Sequence, residues 1–276
     1  MTKTWFITGA NRGLGLEMVR AALDDGDNVV GTARDTTGLA RSFAEHDRFL
    51  AVSLDVTDTL RIDGVVTAAK DRFGGIDILV NNAGYGQTGW FETLSDDQIR
   101  GQFDTNVHGV MNVTRAILPI MRAQRSGHVF SIASTAGLVG FAGFSAYCAS
   151  KFAVEGWMEA LALEVGPLGI RTTVVEPGPF KTDFLDPSSL KGALGEIEDY
   201  ADAIAKSQAQ AEEGNHQQPG DPVKLAHAIV TLAKLDTPPM HFAAGTIAVD
   251  VALGKAALLR ANVEANRDLA LGTDAS

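Results

Sequence analysis

Apolar residues in this chain fall into short, nearly unbroken runs, separated by longer stretches in which they recur at helical spacing. The runs are "TWFITG" (4–9), "NVVGTA" (28–33), "FLAVSLDV" (49–56), "IDILVNNAG" (76–84), "GHVFSIAS" (127–134), "IRTTVVEPG" (170–178) and "MHFAAG" (240–245). Runs that short, rich in β-branched residues and without polar alternation, predict strands covered on both faces. Helical periodicity lies between them, near 13–25, 58–73, 95–124, 145–166 and 221–235. Strand–helix alternation implies a parallel sheet with right-handed crossovers. The predicted class is α/β, a doubly wound parallel sheet with helices on both faces.

Residues 183–219 break this rhythm: they are polar, bounded by prolines, and contain helical pieces. An insertion after the carboxyl end of a strand lies where such sheets bind ligands, so a lid over the pocket is expected there. The stretch 247–276 reads as a helical tail, and the whole 276 residues as one domain. With 23 basic and 34 acidic residues the net charge is −11. That balance disfavours nucleic acid and anionic lipid as partners. The single cysteine, Cys148, allows no internal disulfide and reads as a packing residue of a protein in a reducing compartment. A strand begins within the first few residues, which leaves no space for a secretory leader. No apolar run reaches the roughly 18 residues that suggest a membrane span. The expected location is cytoplasmic.

The first strand runs directly into "TGANRGLG", with Gly9, Gly13 and Gly15 around Asn11, Arg12 and Leu14. Glycines there allow a tight turn and close approach of backbone to a pyrophosphate, whose charge suits the amino terminus of the next helix. An NAD-preferring site usually has an acid about 20 residues further on, bonding the ribose 2′-hydroxyl. Here Ala33 ends the second strand and Arg34 follows. Arg12 and Arg34 can bracket a 2′-phosphate, which favours NADP(H), while Asp35 keeps NAD(H) possible.

The helix opening "SAYCASKFAVEGW" (145–157) puts Tyr147 and Lys151 on one face, four residues apart. Taken with "TGANRGLG" and "NNAG" (81–84), "YCASK" gives the chain its resemblance to the short-chain dehydrogenase/reductases. The likeness runs motif by motif over about 1–180. It implies a Rossmann fold, a nicotinamide cofactor and interconversion of carbonyl and alcohol. It also implies four catalytic residues: Tyr147, Lys151, Ser134 thirteen residues upstream of the tyrosine, and Asn106 in "FDTNVHGV". By the same likeness Asp55 and Val56 border the adenine, and Asn82, Ala83 and Gly84 line the ribose. Pro177, Gly178 and Thr182 border the nicotinamide.

The chemistry suits these residues. A ketone that accepts hydride needs a proton donor, and the reverse reaction needs a base. A phenol titrates near 10, and an ammonium about 4 Å away contributes at most roughly 4 kcal/mol toward its ionised form. Tyr147 would then pass the proton, and Ser134 would bond the substrate oxygen. Lys151 would tune the phenol and hold the ribose, and Asn106 would position a water.

Tyr85, Trp90, Leu138, Val139, Phe141, Phe144, Phe180 and Phe184 come from loops that should face the substrate, with Tyr85, Phe141 and Phe180 the leading contacts. Such a wall favours a hydrophobic small-molecule carbonyl. The expected function is an NADP(H)-dependent reductase. The alternatives are an alcohol or hydroxysteroid-type dehydrogenase running oxidatively, and a non-catalytic nucleotide sensor. The resemblance further implies a homodimer or homotetramer through the helices near 95–124 and 145–166, where Ala146, Ala149 and Ala153 permit close packing.

Overall fold

The computed structural model describes residues 2–275, so Met1 and the last residue of the expected tail, Ser276, lie outside it. Seven strands form one parallel sheet: β1 (Thr4–Thr8), β2 (Asn28–Ala33), β3 (Phe49–Ser53), β4 (Ile78–Asn81), β6 (Gly127–Ile132), β7 (Ile170–Pro177) and β9 (His241–Ala244). Their order is β3-β2-β1-β4-β6-β7-β9. All seven predicted strands exist. All but β2, which ends with its run at Ala33, end one to three residues earlier than their apolar runs, because those last residues turn into the loops that carry the site.

Alternation along each strand feeds two cores. Trp5, Ile7, Val29, Ile78, Val80, Phe130 and Val175 pack on one face, against α1 (Gly13–Asp24) and α8 (Pro222–Lys234). Phe6, Val30, Leu79, Val129 and Val174 pack on the other. That second face is covered by α3 (Thr59–Phe73), α5 (Val110–Gln124) and α6 (Ser145–Val165). Burying each large apolar side chain contributes about 1.5–3 kcal/mol. Because both faces are covered, the strand sequences show no polar alternation.

The helix expected over 95–124 is interrupted. After α4 (Asp96–Phe103), which a Ser95–Gln98 capping box starts, one π-helical turn spans Asp104–Gly109 before α5 begins. A Cβ on Gly109 would stand 2.5 Å from Val56 Cγ2, so this turn reaches the sheet only because residue 109 is glycine. A short helix, α2 (Thr37–Ser42), was not expected, since "TGLARS" is polar and lacks a clear apolar stripe.

Residues 183–219 hold a short strand β8 (Leu190–Lys191) and α7 (Ala201–Gly214). Strand β8 pairs with β5 (Gly86–Gln87) as a separate two-stranded ribbon. The tail is helical as expected, with α9 (Thr246–Ala265) and α10 (Arg267–Leu271). Among the described residues no helix is long and apolar enough to cross a membrane. Cys148 is a buried thiol, raised by burial, as a packing residue should be.

One buried group gives the fold a pH dependence. His128, in β6, lies against Phe130 and is hydrogen-bonded to the Thr173 hydroxyl at 2.9 Å. Burial, helped by Arg171 and Lys3, holds its imidazole down at about 3. The neutral ring is therefore favoured in the fold, and its stabilisation is present above about pH 6.5 and is lost as pH falls toward 3. Replacing His128 with Gln keeps a polar partner for Thr173 and removes the titration. The drop in melting temperature between pH 7 and pH 5 is expected to shrink in His128→Gln, and an unchanged drop would assign it to other groups.

Candidate active site

Strand order reverses between β1 and β4, and a crevice opens at their carboxyl ends, as in other doubly wound sheets. A cleft of about 1080 Å³ occupies that crevice. The first turn of α1 forms its floor. Gly9 and Gly13 have positive φ values, 63° and 51°. No side chain caps α1, so its leading N–H groups remain available beside Gly13 and Leu14, which line the cleft. Gly15 does not line it: a Cβ there would stand 2.2 Å from the Gly9 carbonyl oxygen. Its role is close packing of helix on strand.

The cleft also takes in Gly9, Asn11, Arg12, Arg34, Asp55, Val56, Asn82, Ala83, Gly84, Pro177, Gly178 and Thr182. Asn82 turns inward, and its amide donates to the Thr8 and Gly9 carbonyls at 3.0 Å each. The two arginines differ. Arg34 is exposed on the rim, and the Asp55 carboxyl is held below the usual range by hydrogen bonds from Thr57 and, less, by the Arg34 charge. Arg12 donates to the Ser188 and Ser189 hydroxyls at 2.6 and 2.7 Å, so it clasps the polar insertion. Asp35 accepts from the Thr37 N–H at 2.9 Å and is thereby held in its own turn.

At the far end, α6 brings Tyr147 and Lys151 to the cleft wall, both buried. The phenol ring is packed between Phe144 and Phe184, with ring centroids 6.2 and 5.7 Å away. Ser134 begins the turn Thr135–Gly137, where its hydroxyl accepts from the Ala136 N–H at 3.1 Å and lies beside the phenol, favouring its ionised form. Lys151 Nζ donates to the Ile132 carbonyl at 2.7 Å and stands 5.7 Å from the phenol ring centroid. Burial pushes the ammonium down to about 8.

Burial pushes the phenol up, and the neighbouring Ser134 hydroxyl only partly opposes it. The causes of that shift are burial, Ser134 and Cys148, and Lys151 is not among them. The site therefore presents a protonated tyrosine, ready to give a proton to an oxygen placed beside Ser134.

Asn106 sits behind the wall in the π-helical turn, buried. Its side chain accepts from the Tyr85 N–H at 3.1 Å and donates to the Tyr85 carbonyl at 2.9 Å. Gln102, one turn earlier, donates to the same carbonyl at 3.0 Å. Asn106 is thus committed to the loop after β4 rather than open to the cleft.

Of the expected substrate wall, Tyr85, Phe141, Phe144, Phe180 and Phe184 line the cleft, whereas Trp90, Leu138 and Val139 do not. Trp90 instead packs on Tyr200 of the insertion, ring centroids 6.3 Å apart. Sequence reasoning missed Lys191, whose Nζ lies 4.1 Å over the Tyr85 ring, and the α7 face formed by Ser207, Gln210 and Ala211. The i, i+3, i+4 spacing of those three was the available signal.

A glycine-built helix start and a tyrosine–serine–lysine group on one crevice define an oxidoreductase that uses a nicotinamide dinucleotide. The chain belongs to the short-chain dehydrogenase family, whose profile ("short chain dehydrogenase") matches residues 3–191. It is 37% identical over 281 residues to "Oxidoreductase BOA17" of Botryotinia fuckeliana, covering 99% of this chain and all of the relative. It is 35% identical over 248 residues to a 3-ketodihydrosphingosine reductase of Bacteroides thetaiotaomicron, covering 87% of each. A solved short-chain dehydrogenase from Streptomyces avermitilis superposes over the whole of both chains, with a TM-score of 0.91 at 40% identity.

The contact of Gly15 with the Gly9 carbonyl is directly testable. Gly15→Ala must push α1 away from β1, at a cost of about 1–3 kcal/mol by the usual penalty for overpacking. A lower melting temperature and weaker dinucleotide binding are expected together, measured by calorimetry. A variant that melts and binds like the parent would show that α1 has room to move.

Proposed function

We propose that this protein is an NADP(H)-dependent reductase of a hydrophobic ketone or aldehyde. The observation that carries this reading is the buried, protonated Tyr147 beside Ser134, walled by Phe144 and Phe184. A phenol held protonated is suited to deliver a proton to a developing alkoxide, which is the reductive direction. The name of the Bacteroides relative states a ketone reduction, which supports the same direction.

The dinucleotide would lie over Gly9–Gly13, with its adenine against Asp55 and Val56 and its nicotinamide end near Pro177, Gly178 and Thr182. When bound it supplies the hydride, and everything else falls to side chains. Ser134 donates to the substrate oxygen and Tyr147 transfers the proton. Lys151 keeps positive charge near the phenol and can bond the ribose. Asn106 fixes Tyr85 and the loop after β4, a more indirect part than positioning a water. NADP(H) is preferred because Arg34 stands free on the rim where Ala33 ends the strand, and Asp35 is occupied by Thr37. Arg12 contributes by holding the insertion, which acts as a lid over the single domain.

The substrate is a small molecule. Assembly into a homodimer or homotetramer would use α4, α5 and α6. Ala149 and Phe152 are exposed on α6, whereas Ala146 is buried within the subunit and is not available.

A panel of aromatic and aliphatic carbonyls with NADPH and NADH, followed by cofactor absorbance, tests the reading. Tyr147→Phe is expected to lose at least about a hundredfold in turnover, the usual scale of general acid catalysis. Full turnover in that variant would overturn the mechanism. Arg34→Ala is expected to raise the KM for NADPH by roughly ten- to a hundredfold, the value of one charge-assisted hydrogen bond, with little change for NADH. Equal loss with both cofactors would remove Arg34 from any role in selectivity.

A further inference from the structure

Directly behind Lys151 lies a second group of ionisable residues that the reaction as described does not use. Glu155 follows Lys151 by one turn of α6 and is only 6% exposed. It fits beneath the turn that starts at Ser134, because a Cβ on Gly137 would stand 2.8 Å from Glu155 Oε1. Neither oxygen of Glu155 has a donor partner. From β7, Glu176, 2% exposed, brings a carboxylate oxygen within 4.8 Å of one on Glu155. From the edge strand β9, His241 places Nδ1 2.7 Å from Glu176 Oε1 and 3.6 Å from Glu155 Oε2. The other ring nitrogen of His241 lies 3.5 Å from Glu159 Oε1.

The charged groups facing Glu155 are therefore Lys151 and Glu159 on its own helix, Glu176 on β7 and His241 on β9. The turn Thr135–Gly137, packed above it, brings no charge. Two buried carboxyl groups this close do not ionise together at low cost, so the pair retains a proton. Glu176 already faces His241, and the proton falls to Glu155. Burial and the Glu176 charge push the Glu155 carboxyl up to about 8, while Lys151 pulls it down. Conversely, Glu155 pulls Lys151 up against the burial that depresses it to about 8. The lysine and the glutamate thus exchange charge in one pH range.

We propose that Glu155 is a positioning residue of the reaction, whose charge, set by Glu176 and His241, governs how much of Lys151 is ammonium. The half-exposed His241 connects this buried pair to solvent at the sheet edge, away from the cleft. The inference rests on Lys151 acting in the cleft as described under the proposed function.

The test is the pH dependence of kcat from pH 6 to 10.5 on whichever carbonyl the wild type reduces. Glu155→Gln removes the charge that supports the ammonium, so the alkaline limb should move down by about one pH unit, a tenfold loss on that side. Glu176→Gln removes the charge that keeps Glu155 protonated, so the limb should move up. Glu155→Asp should bring it back toward the wild-type position. Opposite shifts are a signature that a merely structural role does not produce. Limbs that stay in place, or move in the same direction in both Gln variants, overturn the proposal. A limb that shifts when EDTA is added overturns it too, since a cation and not a proton would then balance the pair.

A second readout needs no substrate. A carboxyl raised in the fold stabilises fully below about pH 4.5, and that stabilisation is lost as pH rises toward 8. Wild-type melting temperature should carry this fall, and Glu155→Gln should flatten it. If no carbonyl is turned over but the fall is present and flattened, the functional reading fails while the buried proton stands. If turnover is found and the fall is absent, the inference alone fails.

Discussion

The first turn of α1 meets the end of β1 at a separation that excludes any side chain, since a Cβ on Gly15 would be 2.2 Å from the Gly9 carbonyl oxygen and 2.6 Å from Asn82 Nδ2. Asn82 in turn is bound to the Thr8 and Gly9 carbonyls, and the Thr8 hydroxyl accepts from the N–H groups of Asn82 and Ala83 at 3.0 Å. These contacts join the ends of β1 and β4, the two strands at which the sheet order reverses. With those ends tied, the following loops diverge and the crevice opens above them. The uncapped N–H groups of α1 then face into it, where an anionic pyrophosphate is the complementary ligand.

At the other end, a long helix buries two polar side chains. Desolvation raises the phenol of Tyr147 and depresses the ammonium of Lys151, so both are driven toward their neutral forms. Ser134 and the Ile132 carbonyl offset part of that cost. Glu155 supplies a further counter-charge from beneath, and it is itself held in check by Glu176 and His241. The acid–base character of the proposed site is therefore a property of α6, β7 and β9 together. No single pair of side chains sets it.

Much of this was legible along the chain. The seven strands were readable because parallel strands covered on both faces carry continuous apolar runs. Tyr147 and Lys151 were readable because four residues is one helical turn, and the glycines near α1 because only a turn and a close approach require them so densely. The interruption of the helix around Asn106 was not readable. It depends on Gly109 meeting Val56, a contact between segments more than fifty residues apart. Trp90 is expected in the substrate wall because it follows the fourth strand, and its contact with Tyr200 depends on where the insertion folds. Arg12 is expected at the phosphate from its place in the glycine loop; it lines the cleft, and its contacts with Ser188 and Ser189 could not be read from that position.

By itself, then, the sequence determined the order of the layers, the location of the cleft and the residues whose spacing is local, because hydrophobic period and helical turn are properties of neighbouring positions. Only the tertiary structure decided which charges meet. Glu155, Glu176 and His241 come from a helix, an inner strand and an edge strand, and nothing in their spacing brings them together. Their mutual influence, and through it the charge on Lys151, arises from burial, which exists only once the sheet and the helix have packed.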